Sequence, residues 1–219
     1  MKTTTKKATM TNKERVEALL RRERPDRVPF WAGGRHFAMI YNGYSIADQY
    51  TRPPEVAYQA EKKTCQDFDW IFAPIFMRNS RDAFGGKRKL PTSKFSQDSY
   101  VVKFAAETME EVMALKAPDV KTRFTNEIID FCHRVYRDED DNKPFVTIAA
   151  LSFNTVADIA GYDRMCKWML QKPEIVHRLM RLAADYNIAT AQYYKDTFGV
   201  ERVLPLGAAA AGSNQLISP

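Results

Sequence analysis

The sequence predicts an α/β fold with a parallel sheet, because short apolar segments alternate with helices that carry their own start signals. Two helices open with a capping box, in which a threonine and a glutamate three residues later satisfy each other's backbone donors: Thr11 with Glu14, and Thr108 with Glu111. Alternating strands and helices of this kind place parallel strands beneath a layer of helices. The four strand candidates lie near residues 28–32, 70–76, 145–151 and 202–206.

The first part of the chain is predicted to be helix, strand, turn and helix. Val16, Leu19 and Leu20 give the opening helix one apolar stripe, of the kind that packs on a core. The strand near 28–32 follows, and residues 33–36, which begin with two glycines, form a flexible turn after it. A second helix opens with Pro53-Pro54-Glu55, since proline is well tolerated in the first turn of a helix.

The middle of the chain supplies two buried strands and an excursion between them. Residues 70–76 are a continuous apolar run of strand length, which indicates a strand buried on both faces. Residues 84–104 alternate apolar and polar side chains around a pair of glycines and predict a hairpin. A longer amphipathic helix over 124–136 then leads to the strand near 145–151.

The last part of the chain predicts two helices, a fourth strand and the start of another unit. One helix begins at Pro173 and runs to about Phe198. After the strand, residues 208–212 form a small-residue loop, and Ser218 with Pro219 reads as a helix start. Four strand–helix units are half of a (β/α)8 barrel of the TIM type, which has about 250 residues or more. Residues 11–219 are therefore expected to be the N-terminal half of a barrel domain, truncated at its C-terminus.

An open doubly wound sheet is the rival α/β architecture. It would need a glycine-rich phosphate fingerprint of the type G-x-G-x-x-G, and the sequence contains none. The barrel is therefore the favoured fold.

Composition excludes several classes of partner. Half of the net charge of +6 comes from three lysines in residues 1–10, which are predicted to be a disordered tail. The basic residues do not alternate with aromatic ones, as they do on surfaces that bind nucleic acids. No apolar run reaches the roughly 18 residues that span a membrane. Three widely spaced cysteines argue against a disulfide framework and favour a reducing cytoplasm. Cys132 and His133, neighbours on a helix, are predicted to be a core cysteine beside a surface histidine.

Several stretches carry motifs that can be compared with known families. They are MTNKERVEALLRRERPDRVPF at 10–30, DAFGG at 82–86, MEEVMALKAPD at 109–119, LSFNTVADIAG at 151–161, QKPE at 171–174 and LISP at 216–219. Together they resemble the N-terminal half of the uroporphyrinogen decarboxylase superfamily, which includes the decarboxylase and the corrinoid-dependent methyltransferases. The resemblance implies an enzyme with a TIM barrel.

The resemblance is stronger to the methyltransferase branch. The decarboxylase grips its substrate's carboxylates with two arginines at the end of its first strand, whereas this stretch reads Trp31-Ala-Gly-Gly-Arg35 and keeps at most Arg35. The decarboxylase's aspartate after strand two aligns with Pro74, its tyrosine falls near Ala157, and its serine falls among the alanines at 208–211. A substrate with several carboxylates needs guanidinium partners, so tetrapyrrole decarboxylation is disfavoured.

The methyltransferase branch implies transfer of a methyl group from a corrinoid to a thiol or similar acceptor. It also implies a zinc ion held by a His-x-Cys pair and a later cysteine, which lie in the family's second half. Cys65, Cys132 and Cys166 do not match those ligands, so no metal site is expected in this chain. Two alternatives stay open: the decarboxylase of haem biosynthesis, and a non-catalytic paralogue or binding subunit that pairs with another half-barrel.

Three residues are candidate substrate contacts. Arg35 and His36 follow the first predicted strand and Asn154 follows the third, where the functional loops of a barrel gather. The expected partner of the site is a small-molecule substrate or a corrinoid protein. The chain by itself is expected to be inactive, and the open edges of a half-barrel predict self-association or a complementary half-barrel.

Overall fold

The fold is seen in a computed structural model that describes residues 9–74, 82–95, 99–137, 143, 145–149 and 153–206. The predicted N-terminal tail up to residue 8 and the predicted loop and helix start after residue 206 lie outside these residues. In chain order the elements are α1 (Asn12–Leu20), α2 (Arg35–Tyr41), α3 (Asp48–Thr51), α4 (Pro54–Asp67), β1 (Lys87–Lys89), β2 (Tyr100–Lys103), α5 (Met109–Ala114), a 3-10 helix (Val120–Arg123), α6 (Asn126–Arg137), β3 (Val146–Ala149), α7 (Phe153–Ala160), α8 (Tyr162–Gln171), α9 (Pro173–Phe198) and β4 (Val203–Leu206).

The last two predicted strands form a parallel pair. β3 and β4 run in register from Val146 beside Val203 to Ala149 beside Leu206. The backbone N–H and the hydroxyl of Thr147 both donate to Pro74 O, at 2.9 and 3.1 Å, so the segment 70–74 lies on the other side of β3. This confirms an α/β fold with parallel strands in its centre.

Within the described residues the first two predicted strands are extended segments and not regular strands, and residues 75–76 of the second lie outside the described part of the chain. Residues 28–32 and 70–74 are joined by a bond from Ile71 N–H to Phe30 O of 2.8 Å, but among the described residues neither segment forms a ladder. Pro29 and Pro74 lack the N–H that a ladder needs, which interrupts pairing on both segments. The bonds still set a spatial order of segment 28–32, segment 70–74, β3 and β4. No closed barrel is formed within the described ranges.

The segment 70–74 is buried on both faces, as its composition predicts. Ile71 and Phe72, which point to opposite sides, are each less than a tenth exposed. The Phe72 ring packs beneath α4 and α6. Its centroid lies 5.3 Å from that of Tyr58 on α4, and the Tyr58 ring contacts the Phe131 ring of α6 edge to face, with the centroids 5.8 Å apart. The helices therefore cover one side of this central layer.

The predicted hairpin is present as β1 and β2, which pair antiparallel. Its first strand follows Gly86, whose φ of +86° is a conformation that favours glycine. A Cβ atom at this position would lie only 2.7 Å from Lys103 O, so a larger residue would clash with the backbone of β2. Arg88 turns inward and is mostly buried. Its guanidinium donates to Ser99 O at 2.6 Å and to the Asp158 carboxylate at 3.1 Å, which fastens the hairpin to α7.

The predicted flexible turn at 33–36 is shorter than expected. Gly33, with a φ of +57°, and Gly34 make the turn, but α2 already begins at Arg35. The reason is tertiary packing: α2 buries Met39 and Ala38, and Met39 packs against alanines of α4. Arg35 and His36 are consequently helical residues of the first turn of α2.

The apolar stripe predicted for α1 is not its buried face. Leu19 and Leu20 are 49% and 63% exposed, whereas Arg15 and Ala18 are buried. Arg15 can be buried because its guanidinium pairs with Asp26, with Nε 2.7 Å from Oδ1 and Nη2 3.1 Å from Oδ2. The capping box of α1 forms as predicted, and so does that of α5.

Asp26 collects several donors, and this predicts a dependence of stability on pH. The Arg15 guanidinium, followed by the backbone N–H groups of Thr9 and Met10, holds the pKa of the Asp26 carboxyl well below its usual range. A lowered folded-state pKa means that the stabilisation is complete above the unfolded pKa, about 3.9, and is lost as the pH falls through the folded pKa.

We therefore expect the Tm difference between wild type and Asp26→Asn to be largest above about pH 5 and to shrink towards about pH 2. Thermal unfolding followed by circular dichroism over this range measures the difference. A Tm difference that stayed constant down to the lowest pH would contradict the expectation.

The longest helix organises the core. α9 packs against α5, α6, α7 and α8 and buries an apolar face that includes Leu179, Ala183 and Phe198. Arg178 on α9 donates to Val112 O, Met113 O and Leu115 O at 2.8–3.1 Å, which joins α9 to the carbonyl groups at the end of α5.

Cys132 is a core residue, as predicted. It has no exposed surface, and burial raises the pKa of its thiol to about 12. A thiol of this kind is protonated at neutral pH and unreactive. We expect a thiol reagent such as DTNB to label at most Cys65 and Cys166 in the native protein, and all three cysteines in guanidinium chloride. The native count of a Cys132→Ala variant should equal that of wild type; a lower count would show that Cys132 is accessible.

Candidate functional site

A small pocket lies at the end of the extended segment 28–32. Its wall includes Trp31 and the glycine turn from this segment, Arg35 from the first turn of α2, and Glu61 and Cys65 from α4. The position follows from the local sequence: the glycines allow the chain to turn sharply, so that α2 starts directly above α4 and brings its first side chain into the pocket. The pocket is thus built where the sequence predicts functional residues.

An ion pair crosses this pocket. Arg35 Nε donates to Glu61 Oε1 at 2.7 Å, and the two side chains are only 17% and 14% exposed. A charge-assisted bond of this length between two mostly buried groups fixes both side chains. The Arg35 guanidinium is therefore held by an acidic partner within the protein.

Glu61 is the residue of this pocket that the sequence prediction missed. It lies on the buried side of α4, where Ala57, Ala60 and Thr64 are buried at helical spacing. A charged residue inside such a stripe is a signal of a buried ion pair, since carboxylates are rarely buried without a partner. The signal does not identify the partner, because Arg35 is 26 positions away.

The other two predicted site residues are placed differently. His36 follows Arg35 on α2, about 100° further around the helix, and among the described residues the pocket wall includes Arg35 but not His36. Asn154 lies in the first turn of α7, after β3, and its side chain is outside the described part of the structure. The structure therefore brings Arg35 together with Glu61, and the roles of His36 and Asn154 stay predictions.

The size of the pocket limits what it can hold. Its volume is about 40 Å³, which is room for roughly two or three water molecules. Its aromatic wall includes Trp70 and Phe72, and Cys65 Sγ donates to Ile71 O at 3.5 Å. A tetrapyrrole or corrinoid ring is far larger than this space. Such a ligand would meet Arg35 only from the mouth of the pocket.

Within the described ranges, no group of three or more His, Cys, Asp or Glu side chains could hold a metal ion. The zinc ion implied by the resemblance thus does not fit the donor set of the described residues.

None of the described helices is both long and apolar enough to cross a bilayer.

The fold and this pocket define an α/β protein in which helices cover a central parallel layer and a polar pair sits where a helix follows an extended segment. The chain belongs to the uroporphyrinogen decarboxylase (URO-D) family, whose sequence model matches residues 11–201. Comparison with curated proteins gives no match.

A solved structure has a similar fold. It is a methyltransferase from Methanosarcina mazei, similar with a TM-score of 0.73 and 16% sequence identity. The similar region covers 95% of this chain and 62% of that chain, so this chain spans less than two thirds of the solved protein. At this identity the likeness concerns the fold.

Proposed function

We propose that the chain is the N-terminal half of a (β/α)8 barrel enzyme of the methyltransferase branch, which transfers a methyl group from a corrinoid to a thiol or similar acceptor. The observation that carries the proposal is the ion pair between Arg35 and Glu61. It bears on the choice between decarboxylation and methyl transfer, because the decarboxylase needs free arginines to bind the carboxylates of its substrate and the methyltransferase does not.

A decarboxylase of this family must bind a substrate with several carboxylates. Bidentate guanidinium pairs are the usual partners of such groups. In this chain Trp31 stands where the resemblance places the first arginine, and the remaining one, Arg35, is already bound to Glu61. A carboxylate beside the guanidinium cancels most of its attraction for another anion. The geometry therefore supports a substrate without a carboxylate cluster.

The described residues have a limited role in the proposed reaction. They supply a neutral, mostly apolar wall with Trp31, Trp70 and Phe72 and one internally balanced ion pair. In methyl transfer to a thiol, zinc supplies an activated thiolate. The donor set of the described residues does not fit zinc.

The likeness in fold to a methyltransferase also supports this branch. Because the chain spans 62% of that protein, we propose that the reaction needs a further part of the barrel and that the 219-residue chain alone turns over neither substrate. The proposed location of the complete enzyme is the cytoplasm, and its proposed partner is a small-molecule substrate or a corrinoid protein.

Binding by the chain itself gives a first test. We expect uroporphyrin, titrated against the protein by fluorescence, to show no saturable binding that depends on Arg35. Arg35→Ala and Glu61→Gln should therefore leave the titration unchanged. Micromolar binding that Arg35→Ala abolishes, and that Glu61→Gln strengthens by releasing the guanidinium, would favour the decarboxylase.

Turnover gives the second test. The isolated chain and the longest native form that contains it are assayed for loss of methylcobalamin absorbance with a thiol acceptor, and for decarboxylation of uroporphyrinogen. We expect methyl transfer by the longer form, no decarboxylation by either, and no turnover by the isolated chain. Decarboxylation by the longer form would overturn the proposal.

A further inference from the structure

The hairpin of β1 and β2 has two unlike sides. On its inner side, the Arg88 side chain is only 8% exposed and is bound to Asp158 of α7. The five residues of its outer side are all exposed: Lys87, Lys89, Tyr100, Val102 and Lys103. We call these five residues the hairpin face. It carries three cations and two apolar side chains, and it contains no carboxylate.

Two lysines stand directly opposite each other on the hairpin face. The register of the hairpin pairs Lys87 with Lys103 across the two strands. Like charges in this arrangement destabilise a strand pair, whereas an acidic residue at either position would stabilise it. Lysines that only protect a sheet edge from pairing do not need to face one another. The pairing therefore concentrates positive charge at a cost to the hairpin, which indicates an anionic partner.

The carboxylates around the hairpin are engaged by other groups. Asp82 and Asp158 lie beside the Arg88 guanidinium, with oxygens 3.8 and 3.1 Å from its nitrogens. The backbone N–H groups that precede α5 lower the pKa of the Glu111 carboxyl more than Lys103 does. Within the part of the chain that the structure describes, no ion pair joins a carboxylate to a lysine of the hairpin face. Its positive charge is thus left for a ligand.

The hairpin face is not at an open edge of the central layer. Within the described residues, the segment 28–32 and β4 lie at the two ends of that layer, and a further part of a barrel would join there. The hairpin instead leaves the chain between the segment 70–74 and β3. The backbone N–H groups of Ala105 and Ala106 fix its end to Ile159 O of α7, at 2.9 and 3.1 Å. Completion of the barrel at its edges therefore does not account for the hairpin face.

We propose that the hairpin face binds an acidic segment of a partner protein, in which carboxylates surround one or more apolar side chains. The three lysines pair with the carboxylates, and Tyr100 and Val102, which are 52% and 56% exposed, contact the apolar side chains. Charge complementarity of this kind favours the correct partner and speeds association.

The composition of the hairpin face favours a protein over the other polyanions. Binding of single-stranded nucleic acid uses several aromatic rings on which successive bases stack, and Tyr100 is the one aromatic residue of the face. Segments that recognise anionic lipids carry clusters of about four to eight basic residues, and the face has three lysines. An acidic protein segment with apolar side chains matches both the charge and the apolar part of the face.

Fluorescence anisotropy with two labelled acidic peptides tests the proposal. One peptide contains glutamates only, and the other contains the same number of glutamates with leucines between them. We expect both to bind wild type, with an affinity that falls as salt is added. The leucine-containing peptide should bind at least about threefold more tightly, because it also buries apolar surface. Tyr100→Ser should remove this difference.

The Lys87→Glu variant separates binding from folding. It places opposite charges across the two strands, so its Tm should equal or exceed that of wild type. Its affinity for the leucine-containing peptide should fall at least about tenfold, because a carboxylate then faces the carboxylates of the ligand. Lys121→Glu, a matched change at an exposed lysine of the 3-10 helix, should bind like wild type.

Hydrogen exchange on wild type provides a measurement that needs no variant. The leucine-containing peptide should protect β1 and β2 and leave the other elements unchanged. No saturable binding at low salt, an equal loss of affinity in Lys87→Glu and Lys121→Glu, or protection confined to other elements would each overturn the proposal. Tighter binding of oligothymidylate or of phosphatidylserine vesicles than of the leucine-containing peptide would also overturn it. The outcome does not depend on which reaction the protein catalyses.

Discussion

The Arg15→Ala variant is expected to be less stable than wild type by about 2 kcal/mol, because it removes a buried side chain whose guanidinium makes charge-assisted hydrogen bonds to Asp26. For a protein of this size that corresponds to a fall in Tm of about 6 °C. Arg15 is 2% exposed, and besides its two bonds to Asp26 it donates to Asn12 Oδ1 at 2.8 Å. The variant therefore loosens α1 and the segment that leads to residue 28 together.

A matched control lies on the end of the same helix. Arg21 also pairs with a carboxylate, Glu23, but both side chains are more than half exposed. Exposed pairs contribute little to stability, so Arg21→Ala should melt like wild type. Thermal and urea unfolding of the three proteins measures the effect. Equal Tm values for Arg15→Ala and Arg21→Ala would show that the pair between Arg15 and Asp26 does not stabilise the protein more than an exposed pair does.

The second large effect concerns the ion pair in the pocket. Glu61→Ala should cost about 2 kcal/mol, because it leaves the mostly buried guanidinium of Arg35 without its carboxylate. The Arg35→Ala, Glu61→Ala double variant should be more stable than Glu61→Ala alone, since the uncompensated charge is gone. This ordering separates an internal pair from two independent contacts.

Glu55→Ala supplies the comparison for this experiment. Glu55 is on the same helix, and its partner Arg134 is 3.3 Å away in an exposed position. Glu55 also lies in the first turn of α4 and accepts from Gln59, so we expect Glu55→Ala to lower the free energy of unfolding by at most about 1 kcal/mol. A Glu61→Ala variant as stable as Glu55→Ala would contradict the role given to Glu61 in holding Arg35.

The features that the sequence predicts well depend on neighbours along the chain. The capping boxes at Thr11 and Thr108 form because both partners lie within one helical turn. The hairpin follows from alternation and glycines within twenty residues, and the helix from Pro173 to Phe198 from its proline start. Local physics decides these elements, so a local pattern is sufficient to find them.

The features that were missed depend on residues far apart in sequence. Arg15 is buried on α1 because Asp26 lies opposite it in space, whereas Leu19 and Leu20 are exposed. α2 begins at Arg35 because alanines of α4 provide a surface for Met39. Apolar composition alone cannot rank a paired arginine above a leucine. Arg35 lies in the pocket wall and its role as a substrate contact stays a prediction, whereas its carboxylate partner, Glu61, was missed because it is 26 positions away.

The contact between the hairpin and α7 has a consequence for the order of folding. Arg88 and Asp158 are 70 positions apart, and the bond between their side chains is one of those that seat β1 against the body of the protein. During synthesis the hairpin can close on itself as soon as residue 103 has emerged. It can reach its final place only after α7 follows, and closing so long a loop is slow compared with forming the hairpin. The hairpin is therefore expected to form early and to be fixed in place later, when the bond between Arg88 and Asp158 forms.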